Sequence, residues 1–217
     1  MGKVVTSDCL SSFKGRRVFV TGHTGFKGSW LTFLLNEIGA EFLGYALPPV
    51  GKKNHFELLE LAETISHVEA DIRDGEKLTA VMNKFQPEFV FHLAAQALVR
   101  PSYSDPKSTF ETNVMGSVNL LEAVRKCESV RSLVYITSDK CYENLEWLWG
   151  YRENDRLGGH DPYSASKASA EIVFSAYVRS FFFDRPSLGA ASTRAGNVIG
   201  GGDWAVDRII PGCVRAI

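Results

Sequence analysis

The sequence predicts an α/β protein with a doubly wound parallel sheet, which is a sheet with helices on both faces. Apolar runs of strand length alternate with segments of helical spacing along most of the chain. These runs are continuously apolar, which is typical of parallel strands that are buried on both faces. A glycine-rich segment follows the first run directly and precedes a helical pattern, which indicates a tight strand-to-helix turn there.

Six strands and three long helical segments are expected. The strands cover residues 16–21, 41–47, 66–71, 88–95, 132–138 and 189–194. Apolar residues at helical spacing predict helices over 30–38, 107–127 and 161–183. Residues 1–14 form a polar leader, and residues 15–194 form one domain. Residues 195–217 end in the start of a helix, so we expect them to begin a substrate-binding region that the sequence truncates.

The composition is that of an ordinary globular protein. Hydrophobic residues make up 45% of the 217 positions and charged residues 23%, with a formal net charge of −1. That charge provides no general attraction to nucleic acid or to anionic membranes. No apolar run approaches the ~20 residues that a membrane-spanning helix needs. The four cysteines are scattered without metal-ligand spacing, so we expect reduced thiols, no bound metal and a cytoplasmic location.

The glycine-rich segment after the first strand indicates a dinucleotide site. It reads Gly22, His23, Thr24, Gly25, Phe26, Lys27 and Gly28, a GxxGxxG pattern. Small residues let the backbone turn tightly and bring N–H groups and a helix N-terminus against a diphosphate. The alternative is a plain strand-to-helix turn. The position after the first buried strand favours a Rossmann fold that binds NAD or NADP.

The ends of the second and third strands leave the choice of dinucleotide open. The second strand ends in Ala46 and Leu47, with no carboxylate for an adenosine ribose and no arginine for a 2′-phosphate. Asp71 ends the third strand. Its carboxylate is either an acceptor for the adenine amino group or the N-cap of the next helix.

Tyr163 and Lys167 form a YxxxK motif in the last long helix. Residues four apart lie on one helical face, so the ammonium is expected to lower the phenol pKa. A phenolate can then take the proton from an alcohol as its carbon is oxidised. YxxxK alone is common and also fits a packed tyrosine beside a solvated lysine. The dinucleotide loop in the same sheet favours the catalytic interpretation.

Ser138 and Asp139 follow the fifth strand, at the carboxyl edge of the sheet where ligands bind. A hydroxyl there can orient a substrate hydroxyl, and a carboxyl can pass a proton. Serine and aspartate are also ordinary residues in a turn at the end of a strand. For Cys141 and Tyr142, packing is the only role that the sequence suggests.

The glycine loop, the serine and YxxxK, in this order, resemble the extended short-chain dehydrogenase/reductase family of NAD-dependent epimerases and dehydratases. The segment 92–96 (HLAAQ) resembles the family's fourth-strand motif, and 112–119 resembles its central-helix motif. Longer segments resemble the nucleotide-sugar 4,6-dehydratases, and among them those that act on CDP-glucose. These segments are 95–101, 137–142, 151–155, 158–163 and 195–207.

The resemblance implies bound NAD and an internal redox cycle that converts CDP-glucose to CDP-4-keto-6-deoxyglucose and water. Tyr163 would deprotonate the 4-hydroxyl, and Ser138 would hydrogen-bond the 4-oxygen. Asp139 would protonate the departing 6-hydroxyl. Related dehydratases have a glutamate as C5 base where this chain has Lys140. Lys140 could take that role only if burial and positive neighbours lowered its pKa.

The resemblance also implies which residues bind the ligands. Cofactor contacts would come from Gly22, His23, Thr24, Gly25, Phe26, Lys27, Gly28, Asp71, Ile72, Leu93, Ala94, Ala95, Gln96, Asn113, Thr137, Tyr163 and Lys167. Substrate contacts would come from Gln96, Arg100, Ser138, Asn197 and Arg208. Positive charge from His23 and Lys140 would disfavour oxidised nicotinamide, so weak NAD⁺ binding is expected.

Two further functions stay open on the sequence. One is a dehydratase or epimerase of another nucleotide sugar, linked to dTDP or GDP, although Asp139 argues against simple epimerisation. The other is a dinucleotide-binding fragment without catalysis. The helices at 107–127 and 161–183 carry many apolar residues, and the resemblance implies a homodimer formed through them.

Overall fold

The computed structural model describes residues 10–51, 54–205 and 207–216. Most of the predicted leader, with Cys9, lies outside this range. The strands are β1 (Arg17–Thr21), β2 (Glu41–Ala46), β3 (Ser66–Glu69), β4 (Phe89–His92), β5 (Ser132–Ile136) and β6 (Gly189–Thr193). They form one parallel sheet with the order β3-β2-β1-β4-β5-β6. The predicted doubly wound fold is therefore confirmed.

Several predicted strands extend too far at their carboxyl ends. Pairing between β1 and β4 ends at the partners Thr21 and His92, because β1 gives way to the glycine loop there. Residues 93–95, which the sequence assigns to the fourth strand, consequently belong to the loop that follows it.

The helices are α1 (Phe26–Ile38), α2 (His55–Leu58), α3 (Leu61–Thr64), α4 (Gly75–Phe85), α5 (Val99–Ser104), α6 (Pro106–Phe110), α7 (Gly116–Lys126), α8 (Pro162–Tyr177) and α9 (Ile209–Ala216). A π-helical turn, Glu111–Met115, joins α6 to α7, and another, Val178–Phe182, continues α8. All three long helical segments predicted from the sequence are therefore present. None of the helices in the described ranges is long and apolar enough to span a bilayer.

Both faces of the sheet contribute to the core, and β1 shows why. Phe19 belongs to the larger cluster, which includes Leu78 of α4, Leu121 of α7 and Phe174 of α8. Val18 and Val20 point to the opposite face and pack in a smaller cluster with Leu35 of α1. Because successive side chains of a strand point to opposite faces, a continuously apolar run fills both clusters. The edge strand β6 alternates exposed and half-buried residues instead.

The connections place a crevice at the carboxyl edge of the sheet. From β1 the chain winds outward through β2 to β3, and then returns to lay β4 on the other side of β1. The loops after β1 and β4 therefore leave the sheet in opposite directions, which opens the crevice between them. The glycine loop and the predicted catalytic residues all lie at this edge.

Two buried histidines near this edge are neutral at physiological pH. His92, at the end of β4, is hydrogen-bonded at Nδ1 to the Thr21 hydroxyl over 2.7 Å. Burial, followed by the charge of Lys167, lowers its pKa from 6.5 to about 3. Burial, followed by the neighbouring His67, lowers the pKa of His23 from 6.5 to about 4. Both rings resist protonation because the interior solvates a charge poorly.

We expect these two histidines to destabilise the fold in mild acid. The unfolded chain takes up their protons near pH 6.5, but the folded chain does so only near pH 4 and below. The free energy of unfolding therefore falls as the pH falls from 6.5 to 4, by at most about 2.7 kcal/mol per pH unit for two protons. Urea unfolding at stepped pH values measures this slope. Replacing His23→Phe is expected to reduce the slope, whereas His160→Asn, at an exposed position, serves as the control. An unchanged slope in His23→Phe would contradict the assignment.

Candidate active site

The glycine loop forms a tight cradle at the start of α1. Gly22 has a left-handed φ of 75°, and its carbonyl oxygen accepts a hydrogen bond from the Gly25 N–H over 3.1 Å. A Cβ atom on Gly22 would lie 2.5 Å from the Ala94 backbone nitrogen, and a Cβ atom on Gly28 would collide with the Gly22 carbonyl group. The loop therefore needs glycine at both positions.

The same loop leaves the N-terminus of α1 without a side-chain cap. Gly25 is the N-cap, no side chain among the described residues caps the first N–H groups, and the first turn contains no acidic residue. Lys27 is half-buried in this turn. Backbone N–H groups, the helix dipole and an ammonium group are the donor set that binds a diphosphate. These residues fit the dinucleotide that the sequence predicts.

Asp71, which follows β3, does not cap the next helix, which was one of its two expected roles. The N-cap of α4 is Asp74, whose carboxylate accepts the Lys77 N–H over 3.0 Å, so Asp71 is not that cap. Asp71 instead accepts from the Arg73 N–H and guanidinium, each over 2.9 Å. The adjacent Ile72 is buried in the core. An adenine contact by the Asp71 carboxylate stays a prediction.

The loop after β4 uses its polar side chains internally. Gln96 donates from its side chain to the Leu98 carbonyl over 2.9 Å and accepts from the Leu98 N–H over 2.6 Å. Asn113 is buried, accepts from the Gln96 N–H over 2.8 Å and donates to the Ser166 hydroxyl over 2.8 Å. Asn113 therefore ties the half-buried 93–96 loop to α8, whereas the Gln96 side chain bonds to Leu98 within its own segment.

The first turn of α8 fixes Tyr163. Pro162 occupies the first turn, and the Asp161 carboxylate accepts the Ser164 N–H over 2.9 Å. The Tyr163 N–H donates to the Ser102 hydroxyl of α5 over 3.2 Å. Lys167 lies one turn later, with its Nζ 5.9 Å from the centre of the Tyr163 ring. The structure therefore brings the predicted pair together, in contact through the ring face.

Ser138, Asp139 and Tyr163 meet at the end of β5. The Ser138 hydroxyl donates to the Asp139 carboxylate over 2.9 Å. Burial raises the pKa of Tyr163, and this effect outweighs the nearby Ser138 hydroxyl and the charge of Arg208, which lower it. The expected lowering of this pKa is therefore wrong for the protein without ligands, because desolvation dominates.

Lys167 is buried beneath the site and loses much of its basicity. Burial, followed by the positive charge of Lys27, lowers its pKa from 10.5 to about 8. The Glu171 carboxylate, and then Cys141, act in the opposite direction. Lys27 is itself affected, because burial and then the charge of Arg208 lower its pKa. Three cations therefore converge on the crevice, an arrangement that favours anionic ligands.

The sequence predicts positive charge near the cofactor from two residues, His23 and Lys140, and the surroundings of each bear on that prediction. His23 is fully buried against Gly44 and the ring of Phe56, and its lowered pKa leaves it neutral at pH 7. It therefore brings no positive charge to a bound nicotinamide. Lys140 lies in the 3₁₀ turn Asp139–Cys141 and is exposed. The described residues do not supply the burial that its role as a neutral base requires, so that role stays a prediction.

Two of the predicted substrate residues, Asn197 and Arg208, line a cavity, and Arg100 lies beside it. Asn197, Asp207 and Arg208 line a cavity of about 340 Å³ beside α9. Arg100, on α5, forms an ion pair with Asp207 over 2.8 Å. Asn197, Arg100 and Arg208 are thus close together. Gln96, the remaining predicted contact apart from Ser138, is turned into its own loop.

The sequence did not indicate a buried polar network behind the site. Glu171, of which 2% is exposed, accepts hydrogen bonds from Thr137 and Ser192 and from the Arg194 guanidinium. Arg194 also donates to the Tyr142 hydroxyl over 2.8 Å, so Tyr142 does more than pack. The available signal was an acidic residue one turn after Lys167. Thr137, predicted to bind the cofactor, is part of this network.

Fold and site together define a class. A sheet of this order, a glycine loop before its first helix and a Tyr–Lys pair beside a serine at the end of β5 are the parts of an extended short-chain dehydrogenase/reductase domain. A family model described as GDP-mannose 4,6 dehydratase matches residues 19–190. The chain belongs to this family.

The chain is similar in sequence to two nucleotide-sugar enzymes. It is 54% identical to the CDP-glucose 4,6-dehydratase of Salmonella typhimurium, over 94% of the chain and 58% of that relative's length. It is 31% identical to a UDP-glucose 4-epimerase of Mycolicibacterium smegmatis, over 81% of the chain and 56% of that protein. The chain therefore spans a little over half the length of these relatives.

Two solved structures share the fold. The dTDP-glucose 4,6-dehydratase of Streptomyces venezuelae, determined with NAD bound, superposes with a TM-score of 0.79 at 26% identity, covering 92% of this chain and 61% of that one. The UDP-glucose 4-epimerase of Thermus thermophilus, in complex with NAD, superposes with a TM-score of 0.74 at 33% identity, covering 88% and 58%.

Proposed function

We propose that the protein is an NAD-dependent nucleotide-sugar 4,6-dehydratase that converts CDP-glucose to CDP-4-keto-6-deoxyglucose and water. The observation that carries this proposal is the cluster of Ser138, Asp139 and Tyr163 at the crevice, in which Ser138 donates to Asp139 and lies beside the Tyr163 phenol. An oxidation at C4 needs a base, and an elimination at C6 needs an acid. Tyr163 and Asp139 can supply them, and the 54% identical relative supports the choice of CDP-glucose.

NAD is the proposed cofactor, and the glycine loop and α1 would hold its diphosphate. When bound, it would accept a hydride from the sugar and later return it. This choice is supported by the NAD-bound structures of relatives, since the end of β2 discriminates poorly between NAD and NADP. Lys167, directly below the site, would hydrogen-bond the nicotinamide ribose.

Each proton transfer of the proposed reaction is assigned to a residue of the chain. Tyr163 takes the proton of the sugar 4-hydroxyl, and Ser138 hydrogen-bonds the 4-oxygen so that it faces the phenol. The ketone at C4 acidifies the C5 proton. Asp139 delivers a proton to the 6-hydroxyl as it leaves. Lys140, exposed in the 3₁₀ turn, is the candidate for the C5 base.

The nucleotide would lie toward α9. Asn197 and Arg208 share a cavity there, and the positive charges of Arg208 and Lys27 suit the diphosphate of a nucleotide sugar. Residues 195–217 are thus proposed to begin the substrate-binding region.

Product analysis tests the proposal directly. The chain is incubated with NAD and, in turn, with CDP-glucose, dTDP-glucose, UDP-glucose and GDP-mannose, and the products are identified by mass spectrometry and NMR. We expect loss of water from CDP-glucose alone, with one solvent deuterium at C5 in heavy water. Turnover of only another nucleotide sugar, or epimerisation without loss of water, would contradict the assignment.

A second candidate is a dinucleotide-binding module without catalysis. It is favoured by one observation, which is that the chain spans 58% of its Salmonella relative. Calorimetric binding of NAD, together with no turnover of any nucleotide sugar, would support this candidate over the dehydratase.

We also propose a homodimer and a cytoplasmic location. Apolar residues stay exposed on the predicted dimer helices, among them Met115, Ile172 and Phe181. Packing of α6–α7 and α8 against the same helices of a second copy would cover these residues. The three cysteines in the described ranges are free thiols, as expected in a reducing compartment. Sedimentation of the chain measures its oligomeric state.

A further inference from the structure

The buried network behind the site joins three parts of the fold. One Glu171 carboxylate oxygen accepts from the Thr137 hydroxyl at the end of β5. The other accepts from Ser192 of β6 over 3.0 Å and from Arg194 over 2.7 Å. The Glu171–Arg194 ion pair has only 2% and 19% of its side chains exposed. This carboxylate therefore connects the two strands beside the site to α8.

Arg194 extends the network to the chain segment between β5 and α8. Its guanidinium donates to the Tyr142 hydroxyl over 2.8 Å and to the Glu153 carbonyl over 2.7 Å, and lies 5.1 Å from the centre of the Tyr142 ring. One side chain thus anchors both sides of a segment that begins at the 3₁₀ turn carrying Asp139. A buried pair satisfied by this many hydrogen bonds holds its neighbours in one arrangement.

Glu171 also lies one helical turn from Lys167, on the same face of α8. No ion pair joins them within the described ranges, because both carboxylate oxygens are occupied by other donors. The carboxylate therefore acts on Lys167 through space. The charged and titratable groups that affect Lys167 are Lys27 from α1, Glu171 from α8 and Cys141 from the 3₁₀ turn. Neutral His92 lies close by on β4, and the Tyr163 ring adjoins.

We propose that Glu171 and Arg194 are a positioning pair, which aligns the turn carrying Ser138 and Asp139 with the helix carrying Tyr163 and supplies the negative charge that Lys167 faces. Neither residue touches the reacting atoms. The inference rests on the proposed function, since alignment of this turn with this helix matters only if both carry the chemistry. Without Glu171, the positive charge of Lys27 would lack its balance at Lys167.

The test is the titration of Lys167 itself, followed by nitrogen-15 NMR of its side chain in the ligand-free protein and assigned with Lys167→Met. In the wild type we expect the midpoint near pH 8. Glu171→Gln should lower it by about one pH unit, and Lys27→Met should raise it by a similar amount, because each removes a charge of opposite sign. A parallel downward shift of the alkaline limb of kcat/KM for the nucleotide sugar is expected for Glu171→Gln.

Ser192→Ala is the matched control, because it removes one hydrogen bond to Glu171 and leaves the charge. It should lower stability slightly without moving the Lys167 midpoint. If Glu171→Gln fails to fold, Glu171→Asp, which keeps the charge on a shorter side chain, should move the midpoint downward by less. An unchanged midpoint in the folded variant of Glu171 overturns the proposal. If Glu171→Gln lowers the Lys167 midpoint as expected but the wild type turns over no nucleotide sugar, the proposed function is overturned instead.

Discussion

Gly28→Ala is expected to disrupt the glycine loop and weaken NAD binding about 10–100-fold, because a displaced N–H group loses a hydrogen bond to the charged diphosphate that is worth about 1.5–3 kcal/mol. The new methyl group would meet the Gly22 carbonyl group and the His23 Cα, which are backbone atoms that no rotamer change can move. Overpacking of this kind lowers the free energy of unfolding by about 1–3 kcal/mol. Titration calorimetry with NAD and urea unfolding measure the two effects.

Gly25→Ala in the same loop is the steric control. Gly25 has an extended backbone, with φ −75° and ψ 169°, which alanine adopts without strain. Its Cβ atom would have one close neighbour, the Gly22 carbonyl oxygen at 3.4 Å. We therefore expect the free energy of unfolding to change by no more than about 1 kcal/mol. If the two variants unfold at the same urea concentration, the steric explanation of the GxxGxxG pattern is incorrect.

Tyr163→Phe is expected to lower kcat for the nucleotide sugar by about 10²–10⁴-fold, the usual contribution of a general base. The phenol is the group that reaches Ser138, and the phenylalanine ring keeps the packing against Lys167. Loss of one buried hydroxyl should change the free energy of unfolding by only about 1 kcal/mol. NAD affinity should stay close to that of the wild type. Steady-state turnover, unfolding and calorimetry check these three statements.

Two further variants test whether the loss of turnover is specific to the Tyr163 phenol. Tyr103→Phe removes a phenol on α5 that is 65% exposed and lies outside the site, so its kcat should match the wild type. Asp139→Asn removes the proposed acid and should preserve oxidation at C4 in a single turnover while slowing the loss of water. A Tyr163→Phe protein with wild-type kcat would exclude Tyr163 as the base.

Local patterns were sufficient for the fold and for the parts of the site that follow strands. Continuous apolar runs indicate two buried faces, and the clusters around Phe19 on one face and Val18 on the other confirm them. Glycines directly after β1 and polar residues directly after β5 must share one edge of a parallel sheet. That the glycine loop and Ser138 lie at the same edge of the sheet therefore follows from the order of elements alone.

Roles that depend on which way a side chain turns could not be predicted in this way. His23 was expected to bring charge to the cofactor, but it is buried and neutral. Gln96 and Asn113 were expected at the ligands; their side chains form hydrogen bonds within the fold, and their ligand contacts stay predictions. The groups that surround His23 and Asn113, such as Phe56 and Ser166, are remote in sequence, so the pattern around these two residues gave no sign of them.

The sequence by itself determined the doubly wound sheet, the dinucleotide loop and the Tyr163–Lys167 pair, because each depends on spacing within one or two neighbouring elements. The pKa shifts and the ion pairs of the site were decided by the tertiary structure alone. Burial raises the pKa of Tyr163 and lowers that of Lys167, and Glu171 meets Arg194 across 23 positions of the chain. Desolvation depends on everything packed around a group, and a linear pattern does not contain that information.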